Sequence, residues 1–205
     1  MSDATPRSFY AERIPTQFDR TLDAQEAAGE EGARVLEDLR KVNATLRIVV
    51  EGEGGGTFNL NIAQGRMTAD AEAQHEPFLT ISHDLAAFEV LERESGDSAL
   101  GFLGGLAGMA EEIKLTQSRL DNLAGLEGAL RFSVTGDDAF TLLAHFGGGE
   151  VAREPKCAIS IESETYRDLR SGELNSQDAF MGGKIDIEGD MQMAMQLALA
   201  ALSPD

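Results

Sequence analysis

The chain has 205 residues, which is enough for one large domain or two small ones, and its formal net charge is −19. Nucleic acid is excluded as a partner because phosphate contacts need clustered Lys and Arg, whereas the 17 such residues are scattered along the chain. Anionic membrane surfaces are disfavoured for the same reason.

The chain shows no sign of export or of stable membrane insertion. No apolar run approaches the roughly 20 residues that span a bilayer. The first seven residues are polar and lack the apolar segment of a secretory signal. We therefore expect a cytoplasmic protein.

The chain has one cysteine, Cys157, so an intramolecular disulfide is excluded. We expect Cys157 to be a small buried thiol in a strand rather than a nucleophile.

The first half of the chain predicts a helix followed by strands. Val35, Leu36, Leu39 and Val42 recur at helical spacing, and strands are predicted at residues 46–52, 57–62 and 78–82. The glycine run at residues 52–56 lacks the Gly-Lys-Ser/Thr ending and the following helix of a phosphate-binding loop. A hairpin turn is therefore predicted there.

The second half repeats this order. Residues 46–52 are echoed at 130–136, 57–62 at 139–144, 64–67 at 148–151, and 78–82 at 158–162. A second helical pattern, at residues 106–123, precedes the second set of strands. Because the order of the matches is preserved, we predict an internal duplication.

Only the second copy carries a further C-terminal element. Residues 175–190 combine a polar turn with Gln177, a glycine break, and a strand with Ile185 and Ile187 on one face. Asp190 then has the position of an N-cap for a methionine-rich helix. We therefore predict a truncated copy with an N-terminal helix at residues 1–104 and a complete copy at residues 105–205, which share one contiguous core.

This C-terminal run, with Leu169, Gly172 and Leu174 before it, resembles the signature of the sterol carrier protein 2 family. The opening at residues 14–19 and the hairpin at 51–58 resemble bacterial members of that family. The resemblance implies an α+β fold: a mostly antiparallel sheet covered by helices, here duplicated. It also implies an apolar tunnel that carries lipids.

The resemblance further implies the ligand-binding residues. The residues expected to wall the tunnel are Phe140, Leu142, Ile161, Phe180, Met191 and Met195, with Gln177 near its entrance. The alternative for the apolar residues is an ordinary packed core. The alternative for Gln177 is an amide that caps a helix or stabilises a turn.

No motif in the chain indicates catalysis. His75, His83 and His145 have no partner at metal-ligand spacing, and no nucleophile motif is present. We expect no catalytic residue, no metal, no cofactor and no enzymatic activity. The predicted function is carriage of an apolar ligand: a fatty acid, a fatty acyl-CoA, a sterol-like molecule or an isoprenoid quinone. The alternative is a cavity-less interaction or accessory module for a lipid-modifying enzyme. The oligomeric state is left open.

Overall fold

The computed structural model describes residues 4–28, 30–95 and 116–202. The predicted boundary at residues 104 and 105, and the part of the second helical pattern before residue 116, lie outside the described residues.

One sheet of eight strands, flanked by helices, forms the described fold. A π-helical segment, Ser8–Arg13, continues into α1, Ile14–Ala27. The other helices are α2 Glu30–Lys41, α3 Leu85–Ser95, α4 Gln117–Ala124, α5 Ser163–Ser171, α6 Ser176–Met181 and α7 Met191–Leu202. The strands are β1 Asn43–Glu51, β2 Gly56–Ala63, β3 Arg66–Asp70, β4 Pro77–Asp84, β5 Gly128–Thr135, β6 Phe140–Phe146, β7 Cys157–Glu162 and β8 Ile185–Gly189.

Their order in the sheet is β3-β2-β1-β4-β6-β5-β7-β8. Only the pairs β1–β4 and β5–β7 are parallel within this sheet, and the others are antiparallel. The predicted α+β class with a mostly antiparallel sheet is confirmed.

The two halves of the sheet repeat one pairing pattern. β1 pairs antiparallel with β2 and parallel with β4, while β5 pairs antiparallel with β6 and parallel with β7. The strands that echo one another in sequence therefore occupy equivalent places. The halves differ at their outer ends, because the first adds β3 beside β2 and the second adds β8 beside β7. Residues 148–151 form no strand like the one that begins at Arg66. Duplication remains a prediction.

The halves join through the two strands that lack an outer neighbour of their own. β4 pairs antiparallel with β6, from Leu79 opposite Phe146 to Ser82 opposite Leu143. In the second half, β7 is the equivalent of β4 and has β8 as its outer neighbour. In the first half, β2 is the equivalent of β6 and has β3 as its outer neighbour. β4 and β6 therefore each have one edge that is unpaired within their own half, and these two edges pair with each other. An exposed strand edge is a site for aggregation, and this pairing removes both edges.

One face of the sheet is apolar and carries the core. A single cluster of buried residues extends through both halves, from Phe9 and Tyr10 to Met193 and Ala194. The expectation of one contiguous core is confirmed for the described residues. Tyr10 packs against Phe58 and Phe88 over the first half.

The opposite face is polar. Its buried side chains over the first half form hydrogen bonds with the chain between β3 and β4. Thr45 donates to Asn61 Oδ1 at 2.7 Å, and Asn61 also accepts a bond from the backbone N–H of Gln74 at 3.0 Å. These bonds compensate the desolvation of the polar groups.

Candidate functional site

Three of the sequence-predicted site residues, Phe140, Leu142 and Ile161, lie on the apolar face of the second half. The strand register places them in two neighbouring rows that cross the sheet from β6 to β8. The first row consists of Phe140, Val134, Ile161 and Ile185, and the second of Leu142, Phe132, Ile159 and Ile187. We call them the apolar rows.

Burial decreases along both rows towards β8. Phe140 and Leu142 are buried at the β6 end, whereas Ile185 and Ile187 are half-buried at the other end. β8 is the edge strand of the described sheet and has a neighbour on one side only. The apolar rows therefore lead from the core to a partly open surface.

Helices cover the rows unequally. On α5, Tyr166 packs edge-on against Phe140, with ring centroids 5.5 Å apart, and lies 6.4 Å from Phe132. At the other end of β7, α7 packs on β7 and β8, its residues Met193 and Ala194 are buried, and the thiol of the fully buried Cys157 meets the backbone of Ala194. Between these two contacts, Ile159 and Ile187 stay half-buried.

The remaining predicted apolar residues lie on the surface beside β8. Among the described residues, the large apolar side chains that stay exposed are Phe180 (47%), Met181 (77%), Met191 (43%), Met195 (61%) and Leu199 (66%). Met191, Met195 and Leu199 are four residues apart and form one line along α7, which we call the exposed stripe. Because Met193 and Ala194 are buried on the other side, α7 is apolar on two faces. Such a patch is typical of a binding surface.

Gln177 is exposed and is the second residue of α6. Asn175 caps this helix, because its side chain accepts from the backbone N–H of Asp178 at 2.8 Å. Asp190 caps α7 as predicted, since its Oδ1 accepts from the N–H of Gln192 at 3.0 Å and of Met193 at 3.2 Å. The structure thus divides the predicted set into a buried group on the sheet and an exposed group on α6 and α7.

The thiol of Cys157 is buried on β7 next to α7. Burial raises the pKa of the Cys157 thiol, with a smaller contribution from Asp190, so the neutral form dominates. The interpretation of Cys157 as a small buried thiol is confirmed. In the part of the chain that the structure describes, no group of three or more His, Cys, Asp or Glu side chains could hold a metal ion.

The structure also contains a cavity that sequence reasoning missed. It lies between α4 and α7, has a volume of about 360 Å³, and is lined by Asp121, Asn122, Gly125, Leu126, Gln196, Leu199 and Ala200. Its two walls are separated by some seventy residues of sequence, so no local pattern indicates it.

Residues 110–201 match the model of the SCP-2 sterol transfer family. The predicted resemblance to the sterol carrier protein 2 family is thereby confirmed over these residues. Its domain is a lipid-binding fold, so lipid binding or carriage in general is supported. No curated protein matches the chain. Among the described helices, none is both long and apolar enough to cross a membrane.

Several solved structures are similar to the chain. Sterol carrier protein 2 like 2 from Aedes aegypti is 17% identical, with a TM-score of 0.33, over 55% of this chain and 94% of that one. Sterol carrier protein 2 from Yarrowia lipolytica is 16% identical, with a TM-score of 0.30, over 39% of this chain and 76% of that one. A UbiJ-SCP2 ubiquinone synthesis protein is 8% identical, with a TM-score of 0.25, over 92% of both chains.

Proposed function

We propose that the chain binds and carries an apolar lipid without catalysis, and that the apolar rows and the exposed stripe contact the ligand. The ligand classes are a fatty acid, a fatty acyl-CoA, a sterol-like molecule or an isoprenoid quinone. The observation that carries the proposal is the decrease in burial from Phe140 and Leu142 to Ile185 and Ile187, beside the exposed apolar side chains of α7. Gln177 is exposed in the first turn of α6 and would lie near the entrance of this binding surface.

The apolar contact alone supports a useful affinity. Covering about 300 Å² of apolar surface at about 25 cal/mol per Å² contributes about 7.5 kcal/mol, which corresponds to a dissociation constant of a few micromolar. Methionine suits such a surface because its unbranched side chain adapts to ligands of different shape.

The direct test is native mass spectrometry of the protein purified from its natural host. A co-purifying lipid of one of these classes is expected. A protein that carries no lipid and takes up neither a fluorescent fatty acid nor an uncharged fluorescent apolar probe would overturn the proposal.

Two variants and one matched control test the location. Ile187→Gln should weaken binding at least fivefold, because a half-buried apolar contact is lost. Glu188→Gln introduces the same residue on the other face of β8 and should leave the affinity unchanged. Met195→Gln changes an exposed residue, so it should weaken binding without lowering the free energy of unfolding. Equal affinities for all three variants would refute this location.

A second candidate is a cavity-less interaction module beside a lipid-modifying enzyme. The packing of Phe132, Phe140 and Tyr166 favours it, because the three rings fill one end of the apolar rows. If this function holds, the purified protein binds no lipid, and Met195→Gln weakens capture of the partner enzyme instead.

Four further proposals complete this function. The protein works in the cytoplasm, without a cofactor and without nucleic acid. It consists of a truncated copy at residues 1–104 and a complete copy at residues 105–205. The net charge of −19 supports the absence of nucleic acid. The matching pairings of β1 with β4 and of β5 with β7 support the two copies.

A further inference from the structure

The cavity between α4 and α7 combines polar and apolar walls. Asp121 and Asn122 on α4 and Gln196 on α7 supply a carboxylate and two amides. Leu126, Leu199 and Ala200 supply the apolar part. A volume of about 360 Å³ is larger than a polar head of a few heavy atoms needs, and it also accommodates the first carbons of an attached chain.

The electrostatics of the cavity favour hydrogen-bond donors and positive charge. None of its described lining residues is Lys, Arg or His, and Asp121 is an exposed carboxylate. Arg119 lies on the same helix, but it is buried and does not line the cavity. Asp121 to Gly125 form the C-terminal end of α4, and Gln196 to Ala200 lie in the second half of α7. The C-terminal end of a helix carries partial negative charge.

The cavity is continuous with the surface already assigned to lipid. Leu199 lines the cavity and is also the last residue of the exposed stripe. A ligand whose apolar chain lies along Met191 and Met195 therefore brings its polar end to Asp121, Asn122 and Gln196. Among the described residues that line this position, none is a cation that could pair with a carboxylate or a phosphate.

We propose that this cavity binds the polar head of the lipid, and that it selects an uncharged or cationic, hydrogen-bond-donating head such as a hydroxyl or an amine over an anionic one. The inference rests on the proposed lipid-binding function. Within the ligand classes named above, it favours sterol-like and other hydroxylated molecules over free fatty acids and acyl-CoA.

The test compares three ligands that share one sixteen-carbon chain: hexadecanol, hexadecylamine and palmitate. Each displaces an uncharged fluorescent apolar probe from the full-length protein, at concentrations below aggregation of the amphiphile. Hexadecanol and hexadecylamine should displace the probe at concentrations at least fivefold lower than palmitate. Asp121→Lys should reverse the order of hexadecylamine and palmitate, because the introduced ammonium repels the amine and attracts the carboxylate.

Glu173→Lys is the matched control. It makes the same change in net charge at an exposed residue just after α5, away from the cavity. This variant should keep the wild-type order of ligands, which separates the cavity from the effect of the overall negative charge. Urea unfolding of both variants checks that each is folded.

The outcomes are distinguishable. Displacement by all three ligands at equal concentration, or a preference for palmitate, overturns the head-group inference and leaves lipid binding intact. A wild-type preference that Asp121→Lys does not change, or that Glu173→Lys reverses equally, also overturns it. A protein that binds neither the probe nor any of the amphiphiles overturns the proposed function itself.

Discussion

The hydrogen bond between Tyr10 and His83 attaches the N-terminal helical segment to the sheet. The Tyr10 hydroxyl and His83 Nε2 are 2.8 Å apart, and both residues are buried. His83 Nδ1 lies 2.9 Å from the carbonyl oxygen of Asp84, so Nδ1 carries the proton and Nε2 accepts from Tyr10. Tyr10→Phe keeps the ring and its packing against Phe58 and Phe88 but leaves Nε2 without this donor.

The expected cost follows from this geometry. A buried acceptor that loses its donor costs about 1–3 kcal/mol, because water does not replace the donor. For a protein of this size the change corresponds to a fall in melting temperature of roughly 2–10 °C. Adding His83→Leu removes the acceptor as well. The double variant should therefore lose less than the sum of the two single variants, by about 1 kcal/mol or more.

Urea unfolding measures these free energies, and the slope of the free energy of unfolding against urea concentration should be the same for all variants. Tyr166→Phe is the control, because Tyr166 is the other tyrosine of the chain, is also buried, and forms no described hydrogen bond through its hydroxyl. That variant should change the free energy of unfolding by less than about 0.5 kcal/mol. If Tyr10→Phe costs no more than Tyr166→Phe, or if the single changes add, the assigned role of this bond is wrong.

Three further predictions concern pH, backbone conformation and the union of the two halves. Burial lowers the pKa of His83, and the hydrogen bond to the Asp84 carbonyl is the main opposing effect. In the unfolded chain the imidazole has a pKa of about 6.5, so the folded protein takes up a proton on His83 only at lower pH than the unfolded chain does. The free energy of unfolding should therefore fall as pH drops below about 6.5, and a fall unchanged by His83→Leu would contradict this. Gly189→Ala should lower the free energy of unfolding by more than about 2 kcal/mol, because φ is +85° and the added Cβ would collide with the carbonyl oxygen of Lys156. Gly183→Ala is the control and should cost about 1 kcal/mol, because φ is +66° but the added Cβ would meet open space. Equal thermal shifts for the two variants would contradict the collision. Residues 105–205 expressed alone should aggregate because the β4 side of β6 is then uncovered, and a monomeric fragment with a cooperative melting transition would show that the halves fold independently.

Much of the local structure follows from the sequence alone. The alternation of Ile185 and Ile187 predicts a strand with one apolar face, and both side chains do lie on that face because side chains alternate along any strand. Asp190 caps α7 as its position indicates, since capping depends on residues only two or three apart. The echo between residues 46–52 and 130–136 likewise predicts the equivalent places of β1 and β5.

Only the tertiary structure decides what depends on distant parts of the chain. The pairing of β4 with β6 joins edges whose availability depends on which strands each half lacks, and no local pattern encodes that. Burial separates Phe140, Leu142 and Ile161 from Phe180, Met191 and Met195, because helix coverage rather than hydrophobicity determines exposure. The cavity between α4 and α7 forms where two helices from distant parts of the sequence meet, so its polar residues look like ordinary surface positions until the chain is folded.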